Sequence, residues 1–185
     1  MSRQFWSETM SWATADGAAI ANTSTETIIF PNITIPANYL QDGRVLRLTA
    51  YGRYSSTGTP TLTFRNRWGG VAGSQLAASG AMVVGSTVTN GMWKLEVLIQ
   101  VRTNGATGSL FAMGEAEITD DAAQTVGSAT NASALGIMGS AGASAPAAVT
   151  VDLTADTALS LTAQWSVASA SNTLTGHLYT VEALN

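Results

Sequence analysis

The sequence predicts an all-β protein made of two packed antiparallel sheets. Several segments alternate apolar and polar residues with a period of two, as half-buried strands do, and no segment keeps a helical 3.6-residue period over any length. Local turns join some of these strands, whereas others are joined by long connections. About eight or nine strands with this mixture of connections favour a jelly-roll topology, with an immunoglobulin-like sandwich as the second possibility.

The clearest strand pattern lies in residues 43–68, GRVLRLTAYGRYSSTGTPTLTFRNRW. Two alternating runs flank the turn-forming residues SSTGTP, so we expect a β-hairpin with one apolar face and one polar face. Four arginines fall on the polar positions of this hairpin. They are Arg47, Arg53, Arg65 and Arg67.

Two further hairpins are predicted by the same reasoning. WKLEVLIQVR and SLFAMGEAEIT flank the turn NGATG, and TALSLTAQWSV and TLTGHLYTVEA flank ASASN. Leu98 occupies a polar position of the second hairpin, which suggests that its outer face is not wholly exposed to solvent. Upstream, TETIIFPNITIP predicts an edge or bulged strand, because Pro31 interrupts the pattern.

Two segments lack strand patterns. Residues 1–25 carry two tryptophans without usable periodicity and are expected to form an extended N-terminal arm. Residues 119–148 are rich in Ala, Gly, Ser and Thr and are expected to form one long loop. Residues 26–185, which include this loop, are predicted to form a single domain after the arm.

Composition points to assembly. Only 11% of the 185 residues are charged, and small residues dominate, which is unusual for a freely diffusing cytosolic monomer. Cysteine is absent, no apolar run is long enough for a membrane span, and the N-terminus lacks a typical signal peptide. A net charge of −4 argues against general nucleic-acid binding.

Charge is divided along the chain. Residues 44–102 hold seven basic residues and one acid, whereas residues 115–185 hold seven acids and no Lys or Arg. The arginines of the first hairpin are therefore interpreted as a solvated face, as a contact to acids of a neighbouring subunit, or as phosphate ligands. The acids considered for the subunit contact are Glu115, Glu117, Asp120 and Asp121.

No catalytic pattern stands out, so the protein is predicted not to be an enzyme and to need no cofactor or metal. His177 is the only histidine, and no Ser and Asp partners accompany it in a recognisable spacing. Glu115 and Glu117 share one strand face, which suits solvated carboxylates better than a glycosidase pair. Asp152 and Asp156 are read as turn residues rather than as calcium ligands.

The five tryptophans divide into two groups. Trp68, Trp93 and Trp165 fall on apolar strand faces and are predicted to lie in the core. Trp6 and Trp12 lie in the N-terminal arm, so they are predicted to anchor it to a neighbouring subunit or another partner.

Four segments resemble a group of small jelly-roll virion proteins of tailed bacteriophages. They are TETIIFPNITIPANYLQDGRVLRLTAYGR, STGTPTLTFR, WKLEVLIQVRTNGATG and ADTALSLTAQWSVASASNTLTGHLYTVEALN. The resemblance covers residues 26–118 and 149–185 and rests on turn and core patterns.

The resemblance implies a structural role in the phage particle. Proteins of this group form trimers that decorate or cement the capsid, so the expected partners are further copies of this chain and the major capsid protein. The expected location is the capsid surface of the virion, after assembly in the host cytoplasm. The alternative is a receptor- or glycan-binding module of a head or tail spike. Neither nucleic acid nor a membrane is expected as a partner.

Overall fold

A computed structural model describes residues 7–119, 134–140, 142 and 145–184. The regular secondary structure of these residues consists of β-strands alone, and all strand pairs are antiparallel. In chain order the strands are β1 (Glu8–Trp12), β2 (Ile20–Ala21), β3 (Thr27–Ile28), β4 (Ile33–Ile35), β5 (Val45–Ser55), β6 (Thr61–Trp68), β7 (Ser74–Ala78), β8 (Met82–Val83), β9 (Gly91–Thr103), β10 (Gly108–Ile118), β11 (Ala134–Met138), β12 (Val149–Val151), β13 (Thr157–Trp165) and β14 (Thr173–Ala183).

The strands form a large sheet and a small sheet. The large sheet has the order β1, β14, β5, β9, β10, β11, with β2 also on β14 and β12 also on β10. The small sheet has the order β3, β13, β6, β7, with β4 also on β13 and β8 also on β6. The predicted all-β, two-sheet antiparallel sandwich is therefore confirmed. It has more strands than expected, because several edge strands of two or three residues are too short to show an alternating pattern.

One set of pairings is nested along the chain. β1 and β2 pair with the last strand β14, β3 and β4 pair with β13, β5 pairs with β9, and β6 pairs with β7. Each outer pair encloses the next in the sequence. Each sheet therefore contains strands from both the first and the last part of the described chain.

One of the three predicted hairpins is confirmed, and two are wrong. β9 and β10 pair in continuous register from Trp93 opposite Ile118 to Val101 opposite Leu110. In contrast, β5 belongs to the large sheet and β6 to the small sheet, and β13 and β14 are divided in the same way. Each of these two connections crosses between the sheets. A crossing and a hairpin have the same alternating runs and turn residues, because both strands bury one face in the same core.

The core lies between the inner faces of the two sheets. Trp68, Trp93 and Trp165 are buried there, as predicted. Across the core, the Phe64 and Trp93 ring centroids lie 5.2 Å apart, which joins β6 to β9. These contacts replace the cross-strand contacts that a β5–β6 hairpin would have made.

The two segments without strand patterns also contribute strands. β1 and β2 lie within the predicted arm and pair with β14, and Ile20 is buried in the core cluster. β11 lies within the predicted 119–148 loop and pairs with β10. Its pattern is hard to read because one inward position is Gly136, where a Cβ would lie 2.9 Å from the Met82 sulfur, and Met138 is the other. The edge or bulged strand predicted around Pro31 is instead two short strands, β3 and β4, which both pair with β13.

Candidate interaction surface

The outer face of the large sheet is the most distinctive surface of the described chain. Along β5, β9 and β10 the buried residues alternate with residues that face away from the core. Eight large apolar side chains are exposed on this outer face. They are Trp12, Tyr51, Met92, Leu98, Met113, Leu135, Ile137 and Leu178.

Strand register brings many of these side chains together. Leu98 lies opposite Met113 on one side and opposite Arg47 on the other. Leu178 lies opposite Tyr51 across the β14–β5 pair, and both are exposed. Other exposed large apolar side chains in the described residues are scattered, at Val71, Val83 and Val167. An apolar set concentrated on one sheet face is typical of an interaction surface.

The face is about as large as one side of a standard protein interface. β5 and β10 each have 11 residues, and a rise of about 3.3 Å per residue makes each about 35 Å long. Six strands spaced about 4.8 Å apart span about 24 Å. The product is about 800 Å², which matches the area that each partner typically buries in a stable complex.

Charged side chains are distributed among the apolar ones. The Arg47 guanidinium donates two hydrogen bonds to one Glu182 oxygen, at 3.0 and 2.7 Å, and this pairing raises the pKa of Arg47. The Lys94 ammonium lies 3.5 Å from Glu115. Glu96 stands directly opposite Glu115, a like-charge pair that costs free energy in an exposed sheet.

The prediction that four arginines share one face is wrong. Arg47 and Arg53 lie on the outer face of the large sheet, whereas Arg65 and Arg67 lie on β6 in the small sheet. The two pairs are therefore on opposite sides of the sandwich. The error follows directly from reading residues 43–68 as a hairpin.

Arg65 and Arg67 are paired within their own chain by Glu26. Arg67 donates to both Glu26 oxygens, at 2.6 and 2.8 Å, and one Arg65 nitrogen lies 3.4 Å from Glu26. Thr162 also donates a hydrogen bond to Glu26, at 2.5 Å. Burial raises the pKa of Glu26, but the hydrogen bonds from Arg67 and Thr162 and the two arginine charges outweigh it, so the net pKa is lowered. Sequence reasoning missed this cluster because Glu26 is 41 residues from Arg67.

The remaining predicted interface residues have different surroundings. Trp12 ends β1 with 58% of its surface exposed, so it is bound into the large sheet through its backbone while its ring is open to a partner. Glu115 and Glu117 point outward from β10, beside Ile137 and Leu135 of β11. Trp6, Asp120 and Asp121 lie outside the described residues.

The aspartates read as turn residues make local hydrogen bonds. Asp152 accepts bonds from the backbone N–H and the hydroxyl of Thr154, at 2.8 and 2.6 Å, and these bonds lower its pKa. Asp156 accepts a bond from the Ala37 N–H at 2.8 Å. Among the described residues no group of three His, Asp or Glu side chains is placed to hold a metal ion.

A polar cavity of about 370 Å³ opens at one end of the outer face. It lies between β5 and β14, where a bulge interrupts the pairing of β14 between Gly176 and Leu178. Besides Tyr54, its lining comprises Arg53, Ser55, Asn90, Thr173, Thr175 and His177. His177 Nδ1 lies 2.9 Å from an Asp16 oxygen, and no hydroxyl group of a described residue hydrogen-bonds the ring. The contact between His177 and Asp16 thus holds the segment between β1 and β2 against β14.

Comparison with models of known protein families and with curated proteins finds no match for this chain. The described residues include no helix long and apolar enough to cross a membrane.

Proposed function

We propose that this chain is a structural protein of a tailed-phage particle, which decorates or cements the capsid as a homotrimer. The observation that carries the proposal is the outer face of the large sheet, an area of about 800 Å² on which eight large apolar side chains are exposed. A protein that worked as a monomer would leave this face in water at a cost in solubility.

The strand topology supports the link to jelly-roll virion proteins. A jelly roll wraps a long folded ribbon so that the first strand pairs with the last, the second with the next to last, and so on inward. The nested pairings of β1 with β14, β3 with β13, β5 with β9 and β6 with β7 follow this order. We infer that the domain is a jelly roll, extended at one edge by β10, β11 and β12.

The distribution of charge favours contact with a different surface. Basic Arg47 and Arg53 lie on β5, near the middle of the outer face, while Glu115 and Glu117 lie on β10, two strands away toward the β11 edge. Because a ring with threefold symmetry joins one patch to a different patch, such a face suits a heterologous contact between subunits or with the shell. Exposed ion pairs contribute only about 0–1 kcal/mol each, so they set the register while the apolar groups provide most of the affinity.

The test compares two faces of the same domain. Leu98→Lys combined with Leu178→Lys places two charges on the outer face, and we expect it to convert the oligomer to monomer in light scattering and to abolish binding to capsids. Val83→Lys is the matched control, because Val83 is as exposed (63%) as Leu178 (61%) but lies in the small sheet. A monomeric parent protein at micromolar concentration, or unchanged assembly of the double variant, contradicts the proposal.

The location in the particle is tested separately. We expect labelled protein to be found on the capsid shell of intact particles, in complexes that include the major capsid protein. Labelling confined to the tail would contradict a capsid role while leaving the outer face as an assembly surface.

A further inference from the structure

The cavity beside Arg53 contains polar groups that the fold does not use. The Arg53 guanidinium makes no ion pair or hydrogen bond with any described residue, and the same holds for the side chains of Asn90, Thr173 and Thr175. Ser55 Oγ accepts a bond from the Asn90 N–H at 3.1 Å, which leaves its own hydroxyl proton available. Several donors therefore converge on one space without a partner.

The backbone conformation and the strand register place these groups around the cavity. Asn90 adopts a left-handed conformation with φ of 56°, which few residues other than Gly and Asn tolerate, and this turn leads into β9 beside the cavity. Thr175 lies directly opposite Arg53 across the β14–β5 pair. The bulge that follows in β14 brings His177 to the same rim, where Asp16 holds its Nδ1.

The chemistry of the lining selects a ligand class. Among the lining residues that the structure describes, Arg53 is the one arginine or lysine and none is an acid. A guanidinium binds a carboxylate through two parallel hydrogen bonds, whereas threonine hydroxyls and an asparagine amide pair with ligand hydroxyl groups. A single permanent cation, with the Asp16 carboxylate just behind His177, suits one negative charge better than the double charge of a phosphate ester.

We propose that this cavity binds a hydroxylated carboxylate, such as a uronic acid unit of an acidic saccharide. The volume of about 370 Å³ lies within the range of small-molecule sites. Because the cavity is open and has few apolar contacts, a single sugar acid should bind weakly, with a Kd of about 1 mM. The proposal goes beyond the assembly role and does not depend on it.

The test is a titration of the full chain, in its native oligomeric state, with D-glucuronate, followed by amide chemical shifts. D-glucose and inorganic phosphate are titrated in parallel. We expect glucuronate to shift the amides of β5 and β14 around the cavity, and both comparison ligands to bind at least about tenfold more weakly, a difference of about 1.4 kcal/mol. No shift up to about 20 mM glucuronate, or phosphate binding as tight as glucuronate, would overturn the proposal.

Substitutions assign the binding to the cavity. Arg53→Gln should abolish glucuronate binding, and Thr175→Val, which keeps the side-chain shape, should weaken it several-fold. Arg102→Gln is the control, because Arg102 is an exposed arginine of the same sheet that stacks on Phe111 at 4.8 Å. Equal loss in the Arg53 and Arg102 variants would show general charge attraction and refute a specific site. Light scattering of the Thr175→Val variant should show the parent oligomer, because Thr175 is not one of the residues of the proposed assembly contact, and this keeps the binding result separate from the assembly test.

Discussion

Replacing Glu26 with glutamine should destabilise the domain more than any other single charge removal near an arginine. The side chains of Glu26, Arg65 and Arg67 are only 14%, 19% and 18% exposed, so solvent cannot replace the lost partner well. A neutral amide keeps one acceptor but turns an NH₂ donor toward the guanidinium donors. Hydrogen bonds to charged groups contribute about 1.5–3 kcal/mol, so we expect a loss of about 2 kcal/mol in the free energy of unfolding. For a chain of this size that lowers Tm by about 4–8 °C.

The assay is thermal and urea unfolding of Glu26→Gln, compared with a control variant in which a more exposed ion pair is broken. Glu182→Gln removes the partner of Arg47, whose side chain is 38% exposed, and should cost less than about 1 kcal/mol. Equal costs for the two variants would refute the argument that burial of the Glu26 cluster decides its contribution.

The effect of Glu26 also depends on pH in a fixed direction. Its pKa in the folded protein lies below the unfolded value, so its stabilising contribution is complete above the unfolded pKa of about 4.3 and is lost as pH falls through the folded pKa. The difference in stability between the parent and Glu26→Gln should therefore be largest near pH 7 and shrink in acid. A difference that stays constant down to about pH 2.5 would contradict this linkage.

Three other substitutions test the packing and the N-terminal strands. Gly52→Ala should cost at least about 2 kcal/mol, because the new Cβ would lie 2.0 Å from the Thr175 carbonyl oxygen and 2.6 Å from the Trp93 ring. An equally stable variant in urea unfolding would show that this close packing is wrong. Trp12→Ala should leave Tm nearly unchanged but weaken oligomer or capsid binding, whereas Ile20→Ala, at a site only 3% exposed, should lower Tm. The reverse pattern would mean that the Trp12 ring serves the fold rather than a partner.

Strand positions and strand faces were predictable because they depend on local alternation. Leu46 and Leu48 alternate with Val45 and Arg47 whether β5 pairs with β6 or with β14, so the inward and outward sides were read correctly. The same reasoning placed Trp93 in the core and Glu115 on the outside. The hydrophobic effect acts on each strand separately, which is why a period of two is sufficient for these assignments.

Strand partners were not predictable, because pairing depends on which distant segment completes the backbone hydrogen bonds. Alternation indicates a buried face, but it does not say whether the next strand continues the same sheet or crosses the core to the other one. The crossing at 56–60 separated Arg53 from Arg65, and this overturned the expected basic face.

The candidate surface and the cavity show the same division. Leu98 at a polar strand position indicated that the outer face is not simply a solvated polar face. The low content of charged residues indicated assembly. Only the tertiary structure places Leu178, Tyr51 and Leu98 on one face and Arg53 beside Thr175 and His177. The amino-acid pattern decides what each strand buries, because burial is a local property of alternating residues. The long-range backbone pairing decides which exposed groups become neighbours, because it is satisfied between segments more than a hundred residues apart.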